Sequence, residues 1–207
     1  MFSDAGPTLS GPVRLTTTRT LADCFLVRRL GGLRDCYPGI DLEIIAELRV
    51  MSLARREADI ALRLGRPSDS ELKSRKLGRL TSSFYAAPSY ASDLDGAASP
   101  VLISYDRDSD FVPEAAWLAQ RFPTARFSFR SNSLAAQAEA ARAGLGIALL
   151  PNYLAAADPG LRRLDWGQAP PAREVWLLTR PDLARVPRVR AVTDYLTALF
   201  RTEQPWL

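Results

Sequence analysis

At 207 residues the chain has room for one large domain or for two small lobes sharing a hinge. With 47% apolar and 24% charged residues it is neither a disordered nor a fibrous sequence, and its net charge of +4 is too mild to demand a polyanionic partner. It contains no histidine, which excludes Ser-His-Asp and Cys-His catalysis and every His-containing metal site.

Residues 1–12 are rich in Gly, Pro, Ser and Thr and read as a linker remnant. Residues 13–18 alternate and are β-branched, which predicts a strand. Apolar positions at Leu21, Cys24, Val27, Leu30 and Leu33 predict a helix over 20–36, ending near Tyr37-Pro38-Gly39. Its cysteines, Cys24 and Cys36, lie about 120° apart at roughly 100° per residue. They are expected to be buried free thiols rather than a metal pair or a disulfide. A second strand is predicted at 40–45, a short helix at 51–57 and a third strand at 59–64, closed by Gly65 and Pro67. This β-α-β-α-β rhythm implies a parallel sheet with right-handed crossovers. Ligands bind such sheets at the carboxyl ends of strands, which here are 17–20, 48–50 and 63–65.

Extended segments follow at 75–80 and 83–87, with a short helix or turn from Pro88. Strands are predicted at 100–105, 126–130 and 147–150, and helices at 113–122 and 134–143. This second β/α rhythm predicts a second lobe. Gly144 and Gly146 fit a helix stop and a tight backbone approach; without a third glycine and a lysine they are not a phosphate loop. A strand at 174–179 and an amphipathic helix at 187–201 close the chain. Asp106, Asp108 and Asp110 alternate, but acids on a loop are expected to be solvated, so no metal is predicted. The 27 basic residues, all arginine except Lys73 and Lys76, are dispersed among acids. They predict solvated surface rather than a DNA-binding stripe. The first residues lack a basic region and an apolar core, and no uninterrupted apolar run reaches membrane-spanning length. The expectation is a cytoplasmic protein without a membrane segment.

Several phrases, in this order, carry a resemblance. They are Gly11-Pro12-Val13-Arg14-Leu15-Thr16, Tyr37-Pro38-Gly39, and Glu57-Ala58-Asp59-Ile60-Ala61-Leu62-Arg63-Leu64-Gly65. Then come Leu77-Gly78, Tyr85-Ala86-Ala87-Pro88, Ala143-Gly144-Leu145-Gly146-Ile147 through Pro151, and Trp176-Leu177-Leu178. Over about residues 11–200 the sequence resembles the effector-binding domain of LysR-type transcriptional regulators. The resemblance implies an α/β, type 2 periplasmic-binding-protein-like fold, two β/α lobes joined by two crossover strands. The expected domains are 13–82 plus 181–207 for the first lobe and 83–180 for the second, with crossings near 82–84 and 179–181. A complete regulator begins with a winged helix-turn-helix and a linker helix, and residue 1 falls where that linker would end. Operator DNA and RNA polymerase are therefore expected as partners only of a full-length protein. The family pairs its sensing domains, so a homodimer is expected, in a tetramer when full-length.

The resemblance implies a small-molecule effector, an organic anion or aromatic, held between the lobes. Candidate ligand-binding residues in the first lobe are Thr17, Thr18, Arg19, Thr20, Leu48, Arg49 and Arg63. Thr18 matches the family's hydroxyl position after the first strand. Thr18 or Thr20 also suits plain helix capping. Arg19 stands where the family has a smaller residue; Arg19 or Arg49 could clamp a carboxylate. In the second lobe the candidates are Ser104, Tyr105, Ser131 and Asn132, with Ser133 read as a plain N-cap. The aromatic residues are expected in the core or on lobe surfaces, with Trp117 a possible subunit contact. No catalytic residue and no cofactor is expected. The alternative reading is an extracytoplasmic solute-binding protein of the same fold.

Overall fold

A computed structural model describes residues 9–46, 58–67, 71–93, 100–109, 111–165 and 172–203. In chain order the elements begin with β1 (Ser10–Thr17), α1 (Arg19–Leu21), α2 (Gly31–Cys36), β2 (Gly39–Ala46), β3 (Ile60–Leu64), β4 (Lys73–Leu80) and β5 (Ser82–Ala86). They continue with α3 (Pro88–Asp93), β6 (Leu102–Ser104), α4 (Pro113–Arg121), β7 (Phe127–Arg130), α5 (Leu134–Arg142) and β8 (Ile147–Pro151). The last are α6 (Asn152–Ala155), β9 (Arg162–Leu164), β10 (Arg173–Thr179) and α7 (Pro187–Glu203). The predicted helix at 51–57 lies outside the described residues. Contacts divide the chain into two units: the first takes the chain up to Arg79 and again from Arg173, and the second runs from Leu80 to Ala172.

The first unit's sheet has the order β2-β1-β3-β10-β4. β1 pairs in parallel with β2 and β3, as the crossover argument requires, while β10 runs antiparallel to β3, with Leu177 opposite Leu62. β1 buries Val13 and Leu15 and exposes Arg14, then buries Leu15, Thr16 and Thr17 in succession. Alternation therefore holds along the strand and fails at its carboxyl end.

The continuous helix predicted over 20–36 is not what forms. α1 runs into a π turn at Ala22–Leu26 and a 3-10 turn at Val27–Arg29, stops at Leu30, and restarts as α2. Gly31 and Gly32 follow the break, where glycine's poor helix propensity helps least. The buried residues are Leu21, Ala22, Phe25, Leu26 and Leu33, while Val27 is 58% exposed. A strict spacing of three slips about 60° per step around a helix of 3.6 residues per turn. That slip carries Val27 out of the core. Cys24 is half-buried and Cys36 exposed, which corrects the expectation of two buried thiols; both are free. Burial is the main cause raising the Cys24 thiol above its ordinary pKa, with Arg28 opposing it.

α7 packs on this broken helix. Phe200 and Phe25 are both fully buried with ring centroids 5.0 Å apart. Tyr195 Oη donates to the Arg29 carbonyl at 2.5 Å, and Arg29 reaches Glu203 at 2.8 Å.

The second unit's sheet has the order β7-β6-β8-β5-β9. β6 is parallel to β7 and β8, and β5 is antiparallel to β8 and β9. β8 is buried from Ile147 to Leu150, the continuous apolar run of a central strand. Phe84, Trp117 and Phe122 pack together at centroid separations of 5.9–6.3 Å. Trp117 is half-buried against this core, which is a structural use of the residue offered as a subunit contact.

α5 ends as its glycines predict. Gly144 sits at φ +78°, its N–H donates to the Ala141 carbonyl, and the Leu145 N–H donates to Ala140. This is the Schellman arrangement, which uses a left-handed residue to satisfy the last carbonyls. Gly146 has φ +149°, and a Cβ there would stand 2.5 Å from the Val101 carbonyl oxygen that accepts the Ile147 N–H. Gly146→Ala should therefore destabilise the protein by about 2 kcal/mol or more, read as a lower urea midpoint.

Arg142, at the end of α5, donates to Asp158, whose other oxygen accepts the Gly160 N–H at 2.9 Å. The Arg142 hydrogen bond is the largest influence and holds the Asp158 carboxyl below its ordinary range; burial opposes it and the Gly160 N–H assists. A carboxyl depressed in the folded state contributes stability above its unfolded pKa and loses it as pH falls through the folded value. Asp158→Asn should flatten the loss of stability between about pH 5 and pH 3, measured by thermal midpoint against pH.

Candidate functional site

Carboxyl ends of parallel strands expose backbone polar groups and lead into helices, so they collect binding side chains. In the first unit this edge holds Thr17, Thr18, Arg19, Thr20 and Arg63. Thr17 is 1% exposed, and its Oγ1 is buried without a hydrogen-bond partner among the described residues. A buried hydroxyl left unpaired costs about 1–3 kcal/mol, so its presence calls for an explanation. Thr18 is half-buried and extended (φ −74°, ψ 146°), and its carbonyl accepts the Ala22 N–H at 3.0 Å. Its side chain makes no capping bond, which removes the capping role considered for it. Arg19 is exposed and Thr20 half-buried. Leu48 and Arg49 lie outside the described residues.

Arg63 lies near the carboxyl end of β3, within the strand predicted over 59–64 and opposite Trp176 of β10. Its Nη1 donates to the Thr16 carbonyl at 3.3 Å and to Leu62 at 3.2 Å. Arg63 thus ties β3 to the carboxyl end of β1, beside Thr17, and part of its donor capacity is spent on backbone.

In the second unit β6 and β7 bring the four predicted residues together. Ser104 pairs with Arg130 at the ends of these parallel strands. Ser104 and Tyr105 are buried, Ser131 is half-buried and Asn132 is exposed. The Ser131 N–H donates to the Ser104 carbonyl at 3.0 Å, and the Ser131 carbonyl accepts from Gln137 Nε2 at 2.7 Å. Ser131 Oγ accepts the Ser133 N–H at 3.1 Å, leaving its own proton available to an acceptor. Ser133 Oγ caps α5 by accepting the Ala136 N–H, the role expected of it.

Two residues of this edge were not singled out in the sequence. Arg130 donates to the Tyr105 carbonyl at 3.1 Å and stacks over Phe127 at 4.2 Å, so a fixed cation stands at the end of β7. Its signal was a basic residue closing the alternating Phe127-Ser128-Phe129-Arg130. Gln137 is 1% exposed and holds Ser131 in place. A glutamine inside an alanine-rich helix was the available signal.

Among the described residues no three His, Cys, Asp or Glu side chains gather where a metal could sit. Asp106 accepts the Ser109 hydroxyl at 2.5 Å and Asp108 is exposed, while Asp110 lies outside the described residues. Among the described residues of the first unit lie a cavity of about 650 Å³ beside α2 and β2 and one of about 630 Å³ between β4 and α7. Neither is lined by a predicted site residue.

Residues 7–201 match the family described as LysR substrate binding domain. The chain is 31% identical over 190 residues to the Mau operon transcriptional activator of Paracoccus denitrificans, covering 90% of this chain and 64% of that protein. It is 29% identical over 154 residues to an uncharacterized HTH-type transcriptional regulator of Haemophilus influenzae, covering 70% of this chain and 54% of that one. The chain thus spans less than two thirds of the length of either relative. Among solved structures it is similar to the regulatory domain of CrgA, a LysR-type transcriptional regulator from Neisseria meningitidis. That match has TM-score 0.76 and 21% identity, over 92% of this chain and 98% of that one. The effector domain of the transcriptional regulator AmpR of Pseudomonas aeruginosa matches at TM-score 0.72 and 22% identity, over 95% and 98%. At these identities the structures speak for the fold, and the two five-stranded mixed sheets agree with the type 2 periplasmic-binding-protein-like class. The family match over 7–201, with the Paracoccus relative alongside it, places this chain in the LysR substrate binding domain family, as the effector-binding domain of a LysR-type regulator.

Proposed function

We propose that the chain senses a small organic anion, aliphatic or aromatic, through the polar carboxyl ends of its strands. The observation that carries this reading is the buried, unpartnered Thr17 hydroxyl at the end of β1. Thr17, Thr18 and Arg63 would serve from the first unit, with Arg19 and Thr20 flanking them; Leu48 and Arg49 stay candidates on the sequence alone. Ser104, Tyr105, Ser131 and Asn132 would serve from the second, with Arg130 adding a cation. Hydroxyl and amide donors with an arginine suit a carboxylate, because charge-assisted hydrogen bonds are the strongest available to such groups.

Binding rather than turnover is supported by the relatives' names as transcriptional regulators. The ligand would act by population shift, favouring one conformation through differential contact. In a full-length regulator that shift would reach operator DNA and RNA polymerase through a helix-turn-helix region, with the sensing domains paired as homodimers within tetramers. A cytoplasmic location belongs to the same proposal. Among the described residues no helix is long and apolar enough to cross a membrane.

Calorimetry with a panel of aromatic and aliphatic carboxylates tests the reading. Thr17→Val keeps the side-chain shape and removes the unpaired hydroxyl. It should leave stability unchanged or raise it by about 1 kcal/mol while weakening the bound carboxylate about tenfold. If no carboxylate binds, or if Thr17→Val and Ser131→Ala both bind as the parent does, the proposal is wrong.

A further inference from the structure

The groove between β4 and α7 is lined by Lys73 and Arg75 from the edge strand and by Arg185 and Arg190 from the start of the closing helical segment. The one acid among its lining residues is Asp194, against four cations. Basic residues on an edge strand have a bland use, since charge there opposes pairing with another sheet. That use does not account for two arginines arriving from a different element to face the same cavity of about 630 Å³. Nor are the charges neutralised locally. Arg190 meets Asp194 only at 3.6 Å, with both side chains exposed, and a pair of that kind is worth little. Arg75 places one N–H on the Thr197 hydroxyl at 3.2 Å, a neutral partner. Lys73 and Arg185 have no hydrogen-bond or ion-pair partner among the described residues. α7 carries no acid in its first turn, where an acid would be the favourable residue.

We infer that this groove binds a compact polyanion of two or more negative charges, a phosphate-type or polycarboxylate group. The site lies wholly in the first unit and shares no residue with the effector edge proposed above. Four convergent cations exceed what a monocarboxylate needs. Arginine forks and a lysine point charge together match an oxyanion presenting several acceptors.

Calorimetric titration of the full chain with inorganic pyrophosphate and with citrate tests this, with benzoate as the monoanion. Saturable binding of pyrophosphate or citrate, weakening as sodium chloride is raised, is expected. Which of the two binds more tightly separates phosphate from carboxylate chemistry. The pair Lys73→Gln and Arg185→Gln should weaken the polyanion about tenfold or more, and Arg162→Gln with Arg163→Gln on β9 should change it less than about twofold. All four positions are exposed, and an unchanged thermal midpoint confirms folding. Thr17→Val should leave polyanion binding intact, so failure of the effector reading and failure of this one are separable. The inference is overturned if neither polyanion binds saturably or if the β9 pair weakens binding as much as the groove pair. It is also overturned if a short DNA duplex binds the groove and pyrophosphate does not displace it.

Discussion

The first unit depends on β10 lying between β3 and β4. Without that antiparallel strand the sheet β2-β1-β3-β10-β4 would be interrupted, and β4 would lose its neighbour. The strand begins at Arg173, after the whole second unit has passed in sequence. Closure of the first sheet is therefore a non-local event, costly in chain entropy until its contacts form. α7 completes it by burying Phe200 against Phe25 and by donating the Tyr195 hydroxyl to the carbonyl of Arg29. A helix broken by a π turn and two glycines is thereby held by a partner more than 160 residues away.

The candidate site is a backbone construction before it is a set of side chains. Parallel strands end side by side, and beyond the ladders a further bond ties the ends: Arg63 to Thr16 in the first unit, Ser131 to Ser104 in the second. Gln137 and Arg130 then lock the loop and the Tyr105 carbonyl. Side chains so placed need little reordering to meet a ligand, which is the economy of a preorganised site. Thr17 is the exception that marks the place, a hydroxyl buried with nothing described to satisfy it.

Much of this was legible because the local codes are short. Alternation located β1 and β2, a continuous apolar run located β8, and Gly144 and Gly146 fall where left-handed backbone is required. The reading failed where period and packing disagree. Spacing of three nominated Val27, but a 3.6 period put Phe25 and Leu26 inside. β9, with Arg162 and Arg163 exposed on an edge, has too little apolar signal to be seen, and α6 is one turn long. Cys36 was misplaced because burial of a single thiol is decided by neighbours.

The sequence by itself determined the family, the strand rhythm and the polar residue types at strand ends, since these rest on local order and spacing. Only the tertiary structure decided which of those residues share an edge. It turned Arg63 onto the Thr16 carbonyl, released Thr18 from capping, and left Thr17 unpaired among the described residues. It also gathered dispersed arginines into one groove, where Lys73 and Arg190 face a common cavity across more than 110 residues of chain. Charge and burial are properties of neighbourhoods in space, and β10 and α7 create those neighbourhoods only when the chain returns.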